Sequence, residues 1–216
     1  VIRLDASAAC AEGGYEHYLE LARARVATEG TFACLLAHRQ PGVVDLVLRD
    51  LTFYDREASV SERRRRNVAS FLAALGDAEA ASICRWLRSP DPVMRVVVGR
   101  ALVTIASAAT IECLTEAARD TDPGVRAGAA GGLRLLVAQR KLDVAEAWRL
   151  AQGLAADGDP AVRTAAVPLL AMFDFDHAAP ALAALAADPD GAVAQDAANR
   201  LQAVRAFKSL SPDLPY

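Results

Sequence analysis

The sequence predicts an all-α protein, a solenoid of helical hairpins, on the basis of a recurring phrase, its spacing and the composition. The phrase is an Asp followed by Pro, with an Arg four residues after the Asp; its fourth copy has Gly for Pro and Ala for Arg. The four copies begin at Asp91, Asp122, Asp159 and Asp190, so the intervals are 31, 37 and 31 residues, which is the length of a helical-hairpin repeat. Only 6% of the residues are aromatic and alanine is abundant, which favours closely packed helices over strands.

Each copy of the phrase predicts a helix start. An Asp side chain accepts hydrogen bonds from the unpaired N–H groups of a first turn, and Pro at the first helical position loses no bond. Apolar residues then recur at helical spacing, which predicts four A helices with one buried stripe each. The stripes are Met94, Val98, Leu102, Ile105; Val125, Ala129, Leu133, Leu136; Val162, Ala166, Leu170, Phe173; and Val193, Ala197, Leu201, Val204.

A second amphipathic run follows each of the first three A helices and predicts a B helix that completes the hairpin. Its apolar residues are Ile111, Leu114, Ala118; Leu150, Ala151, Leu154; and Leu182, Leu185. The repeat that begins at Asp122 holds six extra residues near 137–142. Either both helices are longer there or a loop protrudes between them, and the sequence favours longer helices.

Residues 61–88 predict an earlier and less regular repeat, because Arg65 stands 30 residues before Arg95. Its apolar residues are Val68, Leu72, Leu75, Ala80, Ile83 and Leu87. The run 63–66 is four consecutive arginines, which suggests a phosphate site. Consecutive helical residues point about 100° apart, however, so the alternative interpretation is that one arginine joins the ladder and two or three form a solvated surface.

The ends of the chain are less regular. We expect residues 1–60 to form a degenerate helical cap, with helices near 15–28 and 32–38, a third from Pro41, and a loop over 52–61. Val44, Leu46, Val47 and Leu51 are the expected buried residues of the third helix. The repeat array is expected over 61–205, followed by a tail at 206–216 that its prolines keep from being helical.

The phrase Asp-Pro-x-Val-Arg-x-x-Ala resembles the start of HEAT and HEAT-like repeats, including the phycobilisome-lyase type, and the resemblance covers roughly residues 61–205. It implies a right-handed α-α superhelix. It also implies a ladder in which each Arg bonds to an Asp of a neighbouring repeat, here Asp91, Asp122 and Asp159 with Arg95, Arg126 and Arg163. The fourth copy departs from the pattern at Gly191 and Ala194, which suggests a terminal, capping repeat.

No catalytic residue, metal ligand or cofactor site is readable from the sequence. His17, His38 and His177 are the only histidines, and none is followed by the Glu that marks the di-iron hydroxylases among HEAT-repeat proteins. No Gly-rich phosphate loop, G-x-S-x-G or H-E-x-x-H motif occurs. We therefore expect no metal, no cofactor and no hydrolase activity.

The four cysteines lie far apart and form no C-x-x-C pair. Cys84 and Cys113 fall in predicted B helices, where we expect reduced thiols that pack as small apolar residues. Cys10 and Cys34 lie outside the clear repeats, so a disulfide or a ligand role stays open for them.

The chain shows neither a membrane-spanning stretch nor a signal peptide, which predicts a cytoplasmic protein, although a trimmed N-terminus ahead of Val1 could have carried a signal. The net charge of −3 disfavours a duplex-binding surface. We therefore expect neither a nucleic-acid nor a membrane partner.

The two tryptophans have two interpretations. HEAT-like alkylpurine DNA glycosylases use aromatic side chains and an Asp on their concave face. Aligned with the other repeats, however, Trp86 and Trp148 occupy positions that are apolar elsewhere, such as Ala117 and Ile111. A core role is therefore favoured over stacking against a ligand.

The predicted function is a non-enzymatic protein-binding scaffold. In HEAT-like arrays the B helices usually line the concave surface, so their exposed charged and polar residues are the candidates for binding a protein partner. They are Arg85, Arg88, Glu112, Glu116, Arg119, Arg149 and Gln152. The alternative is a HEAT-like lyase, chaperone or DNA glycosylase that acts on a ligand or base in the concave groove.

Overall fold

The computed structural model describes residues 14–23, 29–49 and 58–210, and every regular element in these ranges is helical. The chain divides into two compact units, Val1–Ile105 and Ala106–Tyr216. In each unit, helices that follow one another in the chain pack together, which confirms the predicted all-α solenoid class.

Six α-helices form in the described residues of the first unit. Their bounds are α1 Gly14–Arg23, α2 Glu29–Ala37, α3 Val43–Leu48, α4 Ala58–Leu75, α5 Ala80–Arg85 and α6 Pro92–Ile105. Helix α2 packs on α1 and α4, and α6 packs on α4 and α5. The predicted core residues of the 61–88 repeat are all buried, and Phe32 stacks on Phe71 with ring centroids 5.3 Å apart.

In the second unit, residues 106–210 are described and form six further α-helices. Their bounds are α7 Ile111–Ala117, α8 Pro123–Ala138, α9 Val144–Ala155, α10 Pro160–Leu170, α11 Phe175–Leu185 and α12 Gly191–Leu210. The A helices α8, α10 and α12 form a row in which α10 contacts both others, and α9 and α11 pack beside it. All twelve predicted stripe residues of these three A helices are buried.

The helix starts form as the phrase predicts. Asp122 Oδ1 accepts from the N–H of Gly124 at 2.8 Å and of Val125 at 3.2 Å. Asp159, Asp91 and Asp190 likewise accept from N–H groups of the first turns of α10, α6 and α12. Because the carboxylate replaces the missing intrahelical acceptor, each Asp determines where its helix begins.

The predicted ladder forms in the second unit, but with other aspartates. The Arg126 guanidinium binds Asp157 through two parallel bonds, Nε to Oδ2 at 2.7 Å and Nη2 to Oδ1 at 2.8 Å. Arg163 binds Asp188 in the same way, with both distances at 2.8 Å. The predicted partners Asp122 and Asp159 were therefore wrong, because their carboxylates cap helices. The actual partner lies two residues before the capping Asp of the next repeat.

Each ladder arginine also binds its own inter-repeat turn. Arg126 Nη1 donates to the carbonyl oxygens of Asp120 at 2.8 Å and Thr121 at 3.1 Å, and Arg163 Nη1 donates to that of Asp157 at 2.9 Å. In the first unit Arg95 Nη1 donates to the carbonyl oxygen of Ser89 at 3.0 Å. One side chain therefore joins two successive turns in the second unit.

Several expectations for irregular segments need correction. Helix α4 begins at Ala58, inside the expected loop 52–61, and α12 runs to Leu210, so the first residues of the expected tail are helical. Leu46, which was expected to be buried, is half-buried, while Leu51 and residues 24–28, 50–57 and 211–216 lie outside the described ranges.

The six extra residues of the repeat that begins at Asp122 lengthen its helices, as the sequence favoured. Helix α8 has 16 residues and α9 has 12, and a tight turn joins them. In this turn Arg140 has a φ of 55°, Lys141 N–H donates to Leu136 and Arg140 N–H donates to Val137. This is the Schellman pattern, with an arginine at the left-handed position that usually holds glycine.

The cysteines differ from the expectation. Cys34, Cys84 and Cys113 are disulfide-bonded, so the prediction of reduced thiols at Cys84 and Cys113 was wrong. Distance along the sequence does not show which cysteines meet in the fold, and for that reason the C-x-x-C test missed them. Cys10 lies outside the described residues.

We predict that Arg126→Ala lowers the free energy of unfolding by about 1–3 kcal/mol, because Asp157 and two turn carbonyls lose a mostly buried partner. Urea denaturation of the wild type and the variant measures the change. Arg134→Ala on the same helix is the control, since no ladder bond involves it. Equal losses in the two variants would contradict the ladder's role.

We predict that the second unit loses ladder stability at acid pH. The hydrogen bond from Arg126 lowers the pKa of Asp157, and the bond from Arg163 lowers that of Asp188. A carboxyl group whose pKa is lower in the native state stabilises the fold at pH values above its unfolded pKa of about 3.9. That contribution disappears as the pH falls through the native pKa. The difference in unfolding free energy between wild type and Asp157→Asn should therefore shrink below about pH 4, and a pH-independent difference would refute this.

We predict that Arg140→Gly stabilises the protein by about 0.5–1 kcal/mol, because glycine adopts a positive φ without the steric cost of a Cβ. Arg140→Ala, which removes the charge but keeps the Cβ, should bring no gain. Thermal unfolding followed by circular dichroism compares the two, and a gain for alanine equal to that for glycine would show that the charge causes the effect.

Candidate functional site

The predicted binding residues lie in both units and are described separately. In the first unit Arg85 is exposed and pairs with Asp45 of α3, Nη2 to Oδ2 at 3.1 Å, while Arg88 is exposed at the end of the following turn. In the second unit the other five are all exposed, Glu112 and Glu116 on α7, Arg119 just after it, and Arg149 and Gln152 on α9.

The second unit brings two of these residues together. Arg119 and Arg149 line one cavity of about 160 Å³ at the point where the end of α7 approaches α9. Its other lining residues are Ala118, Glu146, Leu150, Gly153 and Leu154. Glu112, Glu116 and Gln152 are exposed on the same helices without lining the cavity.

The local sequence explains this arrangement. Leu150 and Leu154 are buried on the inner side of α9 and form the apolar floor. Arg149 stands one residue before Leu150 and is therefore turned to the rim. Gly153 leaves an opening in the wall, since a Cβ built on it meets no atom within 4 Å. The result is an apolar floor with two guanidinium groups at the rim.

The two arginines are available for an outside partner. Neither side chain makes a hydrogen bond or an ion pair with any residue in the described ranges, whereas Arg126 and Arg163 each make four hydrogen bonds there. The half-buried Glu146 contributes one negative charge, which leaves the lining net positive. A carboxylate of a partner would therefore meet two planar donor groups beside an apolar floor.

The tryptophans are half-buried and hold structural contacts. Trp86 Nε1 donates to Asp45 Oδ1 at 2.8 Å, so Asp45 accepts from both Trp86 and Arg85. Acid, aromatic and cation thus meet in the first unit, as the glycosylase alternative requires. Each oxygen of that carboxylate already accepts a hydrogen bond, however, and this joins α3 to α5.

A second aromatic group forms in the second unit. Trp148 packs edge to face on Phe173 and His177, with ring centroids 5.0 and 5.1 Å away. His177 Nδ1 lies 2.8 Å from both carboxylate oxygens of Asp174, and this bond lowers the pKa of Asp174. Because Asp174 also caps α11 by accepting from the His177 N–H, the pair stabilises the helix start.

Sequence reasoning missed Glu146, Gly153 and the leucine floor of the cavity. Leu150 and Leu154 were interpreted only as apolar residues of one B helix, and no pattern in the sequence shows that the end of α7 approaches these four residues. Within the described residues, no group of three or more His, Cys, Asp or Glu could hold a metal ion. None of the helices in these ranges is long and apolar enough to cross a bilayer.

Comparison with known proteins agrees with the fold. A sequence profile described as HEAT repeats matches residues 80–150. The crystal structure of an engineered protein, a structural-genomics target, is similar with a TM-score of 0.55 and 20% sequence identity, over 89% of this chain and 90% of that one. Among curated proteins, none matches the chain.

The identity to the engineered protein is too low to show more than a common fold, so the repeat assignment depends on the profile match together with the phrase that starts each helix. The profile spans α5 to α9, which includes two of the capping aspartates and the ladder residue Arg126. These findings are consistent with a HEAT-like repeat protein.

Proposed function

We propose that the chain is a non-enzymatic protein-binding module and that a partner docks on the B-helix surface around the cavity between α7 and α9. The main support is that Arg119 and Arg149 share one cavity with an apolar floor and have no ion-pair partner among the described residues. Arginine beside a desolvated apolar floor is typical of the residues that dominate protein–protein binding.

The size of the cavity favours a protein partner over a free small molecule. Small-molecule pockets usually enclose about 300–1,000 Å³, which is more than the 160 Å³ found here. One carboxylate side chain of a partner fits this volume, and the exposed Glu112, Glu116 and Gln152 would supply a polar rim around it. The proposed partner therefore presents an Asp or Glu next to an apolar residue.

The proposed contact surface also includes two residues of the first unit. Arg85 and Arg88 remain proposed contact residues, although Asp45 already pairs with Arg85.

A cytoplasmic location, as the sequence suggested, fits poorly with the disulfide-bonded Cys34, Cys84 and Cys113, because disulfides are rare in the cytosol. We therefore propose an oxidising compartment as the place of binding.

The lyase or glycosylase alternative has less support. Its acid, aromatic and cation would be Asp45, Trp86 and Arg85, and their mutual hydrogen bonds explain this cluster as packing. The net charge of −3 also remains unfavourable for gathering nucleic acid.

We predict that Arg119→Glu with Arg149→Glu reduces partner recovery at least tenfold, since a hydrogen bond to a charged group contributes about 1.5–3 kcal/mol. Affinity capture from an extract of the source cells, with quantitative mass spectrometry, measures this. The matched control is Arg200→Glu with Arg205→Glu, which reverses two exposed arginines on α12 of the same unit. If both double variants recover the same partners in equal amounts, the proposed surface is refuted.

Gly153→Leu provides a second variant without a charge change. The larger side chain should fill the cavity and block binding, while replacing a helical glycine should stabilise α9 by about 0.5–1 kcal/mol. Lost binding in a protein of equal or higher stability separates a docking role from damage to the fold. Undiminished binding would show that the cavity itself is not used.

A further inference from the structure

A second cavity lies in the first unit, where α4 and α6 pack side by side. It measures about 380 Å³, which is within the range of small-molecule pockets, and it is lined by Arg66, Ala69, Ser70, Ala73, Ala74, Arg100 and Thr104. The proposed protein-partner contacts in this unit are Arg85 and Arg88, and neither lines this cavity.

Small residues on α4 create this groove. Ala69 and Ala73 are four residues apart, so they lie on the same side of the helix, and Ala74 adjoins them. A leucine at these positions would reach across to α6, whereas the alanine methyl groups do not and leave a shallow apolar floor. A flat apolar group is the shape that such a floor accommodates.

The run of four arginines is divided among different surroundings. Arg64 is buried, Arg65 lies 3.7 Å from Glu62, Arg63 is exposed, and Arg66 lines the groove. The sequence alternatives of a phosphate patch and a solvated surface therefore do not apply to the run as a whole, because only Arg66 points toward the groove.

The charge at the groove suits a single anionic group. Arg66 makes no ion pair with any described residue, while Arg100 donates through Nη1 to Glu62 at 3.0 Å and keeps its other N–H groups. Glu62 offsets one positive charge, and the hydroxyls of Ser70 and Thr104 add polar contacts at the rim. A polyphosphate would need more uncompensated cations than this groove offers, because Glu62 offsets Arg100 and leaves only the charge of Arg66.

We propose that the groove between α4 and α6 binds a small aromatic carboxylate, whose carboxylate group pairs with Arg66 and Arg100 and whose ring rests on Ala69, Ala73 and Ala74. Two guanidinium groups from different helices can approach a carboxylate from two sides. The apolar body then covers the alanines and removes their surface from water.

The test uses 1-naphthoate as the probe and the full chain labelled with ¹⁵N. Titration followed by amide chemical shifts should show saturable changes on α4 and α6, with a Kd of about 1 mM or below for a ligand of this size. Naphthalene-methanol, which keeps the ring but lacks the charge, should bind at least about tenfold more weakly.

Arg66→Gln should raise the Kd about tenfold, and Ala74→Leu, at an exposed position of the floor, should block the groove. Arg63→Gln is the matched control, because it removes a charge from the same run and the same helix outside the groove. An absence of saturable changes on α4 and α6, equal binding of the neutral alcohol, or equal weakening by Arg63→Gln would each overturn the proposal.

Discussion

The bond between the arginine of one A helix and the aspartate of the next inter-repeat turn organises the second unit. Arg126 joins its own turn, through the carbonyls of Asp120 and Thr121, to Asp157 in the following one. Asp157 in turn accepts from the N–H of Asp159, whose side chain starts α10. Each helix start is therefore tied to its neighbour by one continuous chain of hydrogen bonds, with little exposed surface at either ionic partner.

This arrangement separates stability from binding along the chain. The arginines of the ladder are engaged on both sides, so they offer nothing to a partner. Arg119 and Arg149 on the B-helix side have no ion-pair partner within the described ranges and stand above buried leucines. In the first unit the division is less sharp, because Arg65 pairs with Glu62, Arg66 lines a groove, and Arg100 does both. In the second unit, whether a carboxylate lies within reach decides whether an arginine serves the fold or a surface.

The recurrent phrase was sufficient to predict the starts of four A helices and most of their buried faces, although Ile105 at the end of α6 is half-buried. Asp122 and Asp159 act locally, on N–H groups two or three residues away, so the sequence contains the information for these caps. The stripes are equally local, because the helical period alone decides which residues share a face. The ladder partner was mispredicted because two aspartates stand two residues apart in each turn. Only the packing shows that Asp157 and Asp188 reach the arginine while the next Asp caps a helix.

The sequence by itself determined the all-α class, the repeat length and, where the phrase occurs, the helix starts and most of the core. The helix starts and the buried faces depend on residues within about one or two helical turns. The tertiary structure decided which cysteines are disulfide-bonded, which arginine lines a cavity and which aspartate completes the ladder. These features depend on distances between residues far apart in the chain, such as the 31 positions from Arg126 to Asp157. Repetition makes such positions look alike in sequence, and only the packing of unlike neighbours distinguishes them.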